Sequence, residues 1–105
     1  SPYHIHIIDL NKNITNKKIS DSIEKINQHG INILLDDREE TPGKKFADAD
    51  LIGIPIKIIL SDRNLKKNEV EIINRSSDET TYASIETFYD NVINLHDQLN
   101  KECSI

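Results

Sequence analysis

No methionine occurs in the sequence, and cysteine occurs once, at Cys103. A lone thiol forms no internal disulfide, so a reducing compartment is the default expectation. With no start residue and an opening that runs straight into an apolar stretch, the chain is expected to be processed or to be a piece of something longer. The second reading is favoured. No apolar run approaches the roughly 20 residues of a membrane span, and no segment has the pattern of a signal peptide. A glycine-rich phosphate loop, a Gly-x-Ser-x-Gly elbow and a zinc motif are all missing. No catalytic constellation, internal repeat, low-complexity tract or linker is found.

What is there is 105 residues, 36% apolar and 30% charged, enough for one globular domain with an ordinary core. The net charge of −5 argues mildly against a nucleic-acid partner, but it is unevenly spread. Residues 1–37 carry net −1, residues 38–67 net +2 and residues 68–105 net −6. A local positive face binds phosphate even when the whole molecule is acidic. The acidic final third reads most simply as a solvated face.

Hydrophobic periodicity predicts the order of elements. Residues 3–10 read as a buried strand, and Asn11–Thr15 as a loop. Residues 16–29 read as a helix with Ile19, Ile23 and Ile26 on one face and Gly30 as its stop. Residues 31–35 form a short continuous apolar strand, as expected when both faces are covered. Thr41 and Pro42 signal a helix start, and that helix runs to Ile52 and stops at Gly53. A third apolar strand spans 54–60, and 61–68 is a polar connection. Weaker strands at 69–75 and 80–84 flank a Ser-Ser-Asp turn. The final helix is predicted over 85–99, with Ser84 as its cap and Ile85, Phe88, Tyr89, Val92, His96 and Leu99 as its stripe. Two right-handed crossovers require three parallel strands, and the short later connections require antiparallel ones. The expected fold is α/β: a mixed sheet of about five strands flanked by three helices.

In such sheets ligands sit at the carboxyl ends of the parallel strands. The loop there is 36–41, and the next helix starts at Pro42. A helix start offers free N–H groups and partial positive charge. Arg38, Lys44 and Lys45 add full charges, so the crevice suits an anion. The acids Asp36, Asp37, Glu39 and Glu40 need a further reason. A guanine base supplies one. Its N1–H and N2–H donors suit a carboxylate, and its O6 and N7 acceptors suit Arg or Lys. Phe46 is placed to stack on an unpaired base.

Plainer readings stand beside these. An acid-rich loop is often only solvated. Asp36 and Asp37 are a possible magnesium pair, but no further ligand spacing accompanies them. Phe46 fits equally as a core residue beside Ala47, Ala49 and Ile52. His4 and His6 alternate on one strand face as half a metal site without a third ligand, and satisfied strand histidines are the simpler reading. His29 reads as decoration of a helix C-terminus. Cys103, past the last helix, has no base beside it in sequence.

The stretch 34–60, followed by Ser61-Asp62-Arg63, closely resembles the anticodon-binding domain of bacterial prolyl-tRNA synthetases, of the class IIa synthetase family. The matching residues are Asp36, Asp37, Arg38, Pro42, Gly43, Lys45, Phe46, Ala47, Asp48, Leu51, Ile52, Gly53, Ile54 and Pro55. The likeness spans the whole chain in element order and is motif-grade from about residue 30 to 63. Two departures are Ile56, where the family often has His, and Ser61, where it has Gly. The resemblance implies a C-terminal domain, residues 1–105, separated from a catalytic domain that uses ATP and magnesium to join proline to tRNA. It implies no catalytic residue, cofactor or metal in this domain. It further implies proline tRNA as partner, a cytoplasmic homodimeric parent enzyme and no membrane. Proline codons begin CC, so every proline tRNA presents two anticodon guanines. On that basis Arg38, Lys45 and Lys57 are expected to donate to guanine acceptors or nearby phosphates. Asp37 and Glu40 are expected to accept from a guanine edge, and Lys44 to position the backbone. Arg63, Lys66 and Lys67 are expected as peripheral phosphate contacts. The alternatives are a free-standing tRNA-binding module of the same fold and a flavodoxin-like enzyme using the same crevice. The missing phosphate loop and nucleophile speak against the enzyme.

Overall fold

The computed structural model describes residues 3–10, 12 and 15–103, with side chains as far as residue 99. Of the loop expected at Asn11–Thr15, residues 11, 13 and 14 lie outside the described residues, as does the Cys103 side chain. The elements run β1 (Ile5–Asp9), α1 (Lys17–Gln28), β2 (Ile33–Asp36), α2 (Pro42–Ile52), β3 (Ile56–Leu60), α3 (Asp62–Leu65), β4 (Glu69–Asn74), β5 (Glu79–Ser84) and α4 (Phe88–Cys103). One five-stranded sheet has the order β2-β1-β3-β4-β5. Strand β1 pairs in parallel with β2 and β3, while β3–β4 and β4–β5 are antiparallel. The mixed sheet expected from the element order is therefore the observed one.

Alternation along the strands sends side chains to two faces. Ile5, Ile7, Ile58, Leu60, Val70 and Ile72 join Ile19 and Ile26 of α1 and Phe88 and Val92 of α4 in the main core. Ile8 and Ile59 point the other way, onto Ala49 of α2. The crossover from β1 steps outward to β2, and the crossover from β2 steps back past β1 to β3. Opposite steps of one hand place α1 and α2 on opposite faces. Thr41 caps α2 by accepting from Lys44 N at 3.2 Å, with Pro42 in the first turn. Gly53 closes it in the left-handed region, at φ 72°.

Four expectations are corrected. Helix α4 begins at Phe88 rather than Ile85. Ile85 N donates to the Asn68 carbonyl at 3.1 Å, and Ser84 Oγ accepts from Glu86 N at 3.2 Å. Those bonds hold 85–87 as a turn against the sheet. The same helix continues to Cys103, so the cysteine does not lie beyond it. The polar connection 61–68 contains α3, capped by Ser61, which makes a fourth helix. Finally, β2 is an edge strand, and Ile33, Leu34 and Leu35 are only half-buried. A continuous apolar run there reflects a partly covered outer face rather than two covered ones.

Candidate nucleic-acid interface

The loops leaving β1 and β2 diverge to opposite faces of the sheet, and a groove of about 520 Å³ opens between them. Its walls are Asp9, Leu10 and Lys12 from the first loop and Asp37 to Thr41 from the second, with Lys45 at the start of α2. This is where an open sheet of this type takes its ligand. The charges in it are unevenly engaged. Glu39 faces Lys12 at 3.6 Å and Glu40 faces Lys44 at 3.9 Å, both as exposed pairs that water screens heavily. Asp37 is exposed, and its carboxylate makes no bond among the described residues.

Arg38 is held. Its Nε donates to Asp36 Oδ1 at 2.8 Å, and its Nη2 donates to Asp36 Oδ2 and Asp48 Oδ2, both at 2.9 Å. Arg38 N also donates to Asp36 Oδ1, at 3.3 Å. The side-chain bonds from Arg38, and its positive charge, hold the buried Asp36 carboxyl below its usual range despite burial. The two carboxylates, Asp36 foremost, raise the guanidinium's pKa in turn. The guanidinium thus spends Nε and Nη2 on the protein, where the sequence led us to expect a donor to guanine acceptors or nearby phosphates.

Asp36 carries a pH consequence. Its folded-state pKa is depressed, so its contribution to stability is complete above the ordinary carboxylate value near 3.8 and is lost as pH falls from there through the lower folded value. Chemical unfolding of the native chain and of Asp36→Asn is expected to show a stability gap at neutral pH that narrows steadily below about pH 4. A gap that stays constant down to pH 2 would show that the ion pair contributes nothing.

Lys45 departs most from expectation. It is only 2% exposed and its ammonium donates to the Asp9 main-chain carbonyl at the end of β1. It floors the groove and does not reach out of it. Lys57 on β3 is likewise turned to the protein, its Nζ 3.4 Å from Asp50 Oδ1 and its side chain 15% exposed. Both ammonium groups are thus engaged within the protein, where the sequence led us to expect donors to guanine acceptors or nearby phosphates.

A second groove, of about 510 Å³, lies across α2 from the open edge strand β2. Phe46 of α2 and Tyr82 of β5 line it, with Arg63 and Lys67 at the α3 end and Asn64, Glu69 and Glu71 between them. Phe46 and Tyr82 are 37% and 54% exposed, so two aromatic faces meet solvent beside two cations. The structure thereby brings Phe46, Arg63 and Lys67 together, whereas Lys66 is exposed outside this lining. Sequence reading missed Lys12 and Tyr82. Tyr82 sits opposite Glu71 across the β4–β5 register, a proximity visible only once the strands are paired.

The histidines form no such site. His4 Nδ1 accepts from Asn32 N at 3.0 Å, whereas His6 is buried with its Nδ1 unbonded among the described residues, contrary to the expectation of satisfied histidines. Burial lowers the pKa of both. Among the described residues no three His, Cys, Asp or Glu side chains are grouped to hold a metal ion. No helix among them is long and apolar enough to cross a membrane.

A mixed open sheet with a charged groove at its carboxyl edge and an aromatic, cationic groove beside it has the features of an α/β domain that binds single-stranded nucleic acid. Comparison with known proteins is consistent with that class and narrower. Residues 4–95 match the anticodon binding domain family, and the chain belongs to it. Proline–tRNA ligase of Legionella pneumophila (strain Corby) is 39% identical over 98 residues, covering 90% of this chain and 17% of that protein. The enzyme of the same name from Geobacillus sp. (strain WCH70) is 39% identical over 100 residues, covering 93% of this chain and 18% of that protein. The chain therefore spans about a sixth of the length of the curated relatives it matches. A crystal structure of prolyl-tRNA synthetase from Cryptosporidium parvum, complexed with L-proline and AMP, superposes with a TM-score of 0.76 over 96% of this chain and 23% of that one. At 22% identity that likeness speaks for the fold.

Proposed function

We propose that the chain is the anticodon-reading domain of a bacterial-type proline–tRNA ligase, that it binds proline tRNA, and that it recognises the two anticodon guanines. The parent enzyme would attach proline to tRNA with ATP and magnesium in a separate catalytic domain, as a cytoplasmic homodimer. The observation that carries the reading is Asp37: an exposed carboxylate, unbonded among the described residues, on the wall of a groove whose Glu39 and Glu40 are paired with lysines. A carboxylate so placed accepts the N1–H and N2–H pair of an unpaired guanine. Glu40 can leave its exposed lysine at small cost and serve the second guanine. Lys44 and the α2 start favour the adjoining phosphate. Phe46 and Tyr82 offer stacking faces, with Arg63 and Lys67, and Lys66 nearby, as phosphate contacts.

The test is a titration of proline tRNA against the same tRNA with both anticodon guanines replaced. The native anticodon is expected to bind at least about tenfold more tightly, since each well-made base contact discriminates by about 1–3 kcal/mol. Equal binding would leave only phosphate contacts and overturn the reading.

A further inference from the structure

The Arg38 guanidinium separates two grooves. On one side is the acidic groove of Asp37 and Glu40. On the other is a groove of about 460 Å³ lined by Leu34, Leu35, Leu51 and Ile52. The wall between them is built from Asp36 at the end of β2, Arg38 in the loop and Asp48 in the middle of α2. Asp36 and Arg38 are bonded to each other across Asp37, at both main chain and side chain. That fixes the local turn and forces the Asp37 side chain outward, but both partners lie within the same three residues. Asp48 ties this turn directly to the middle of α2, through Arg38 Nη2 at 2.9 Å. Beyond the Thr41 cap and the exposed Glu40–Lys44 pair, the angle between the Asp37 carboxylate and α2 leans on that bond. Lys45, one turn earlier on α2, separately anchors the helix to β1 through the Asp9 carbonyl.

We propose that Asp48 is a positioning residue for guanine recognition, acting through Arg38 to set the distance from Asp37 to the helix start. This rests on the guanine-reading function proposed above. Without Asp48 the Asp36–Arg38 pair survives, but the loop gains freedom to swing relative to α2. Paired hydrogen bonds to a base edge need fixed geometry, whereas phosphate attraction tolerates movement. Discrimination should therefore fall before general affinity does.

The experiment titrates the native chain, Asp48→Ala and Asp48→Asn with proline tRNA and with its guanine-replaced form, at several salt concentrations, after checking each variant's unfolding midpoint. Asp48→Ala is expected to cut the ratio between the two tRNAs by about fivefold or more, leaving the guanine-replaced form bound as before with the same salt slope. Asp48→Asn retains an oxygen acceptor and should recover part of the ratio; it also serves if the alanine variant does not fold. A ratio unchanged in both variants, or one kept while both tRNAs weaken equally, would overturn the positioning role. A native chain that does not distinguish the two tRNAs would overturn the guanine reading, and this proposal with it.

Discussion

Replacing Lys45 with alanine is expected to lower the unfolding free energy by about 2–4 kcal/mol. The ammonium is fully enclosed, donates to the Asp9 carbonyl and lies where its charge also lowers the pKa of the buried Asp36. Alanine removes that charge, takes one donor away from the carbonyl and opens a cavity where the four-carbon stem packed. For a domain of this size the midpoint should drop by about 8–32 °C, at about 4–8 °C per kcal/mol. Lys45→Met keeps most of the stem and should lose less, because only the polar part of the interaction is gone. Guanine discrimination by whatever fraction stays folded should persist. The opposite pattern, intact stability with discrimination lost, would return Lys45 to the set of residues that touch RNA.

Asp37→Ala is expected to behave in the reverse way. Its side chain is exposed and bonded to nothing among the described residues, so its removal should change stability by no more than about 0.5 kcal/mol. Binding of proline tRNA should nevertheless weaken by about 1–3 kcal/mol, with little effect on tRNAs that carry no anticodon guanine. Asp37→Asn is a sharper probe. It keeps the size but replaces one acceptor oxygen with a donor, and so sets N–H against N–H at the guanine edge. It should bind no better than the alanine variant. Uniform strengthening across all tRNAs in either variant would mean that Asp37 only repels phosphate.

The fold was readable from the sequence because its signals are local and strong. Gly30 and Gly53, the Thr41-Pro42 start and the three apolar strands mark the element order without reference to tertiary contacts. The start of α4 was misplaced because Ile85 satisfies the helical stripe but is claimed by Asn68 across the chain. Helix α3 is four residues long and too short to show a period. At the site, residue type identified the groove but not who faces it. Arg38 in the loop and Lys45 at the helix start look alike as cations in one crevice; pairing with Asp36 and Asp48, and burial against Asp9, set them apart. Charge counts see signs, and only packing shows which charges are already spent on the protein. Asp37 stays exposed because its neighbours on either side bond to each other.

The most direct measurement replaces the anticodon guanines of proline tRNA one at a time with inosine, which lacks the N2 amino group but keeps N1–H, O6 and N7. If Asp37 accepts from a guanine edge, one of the two inosine tRNAs should bind the native chain about 1–2 kcal/mol more weakly, and Asp37→Ala should no longer feel that change. If both inosine tRNAs bind as tightly as the guanine form, no carboxylate in this groove accepts from a guanine N2 amino group, and the paired N1–H and N2–H contact proposed for Asp37 is contradicted.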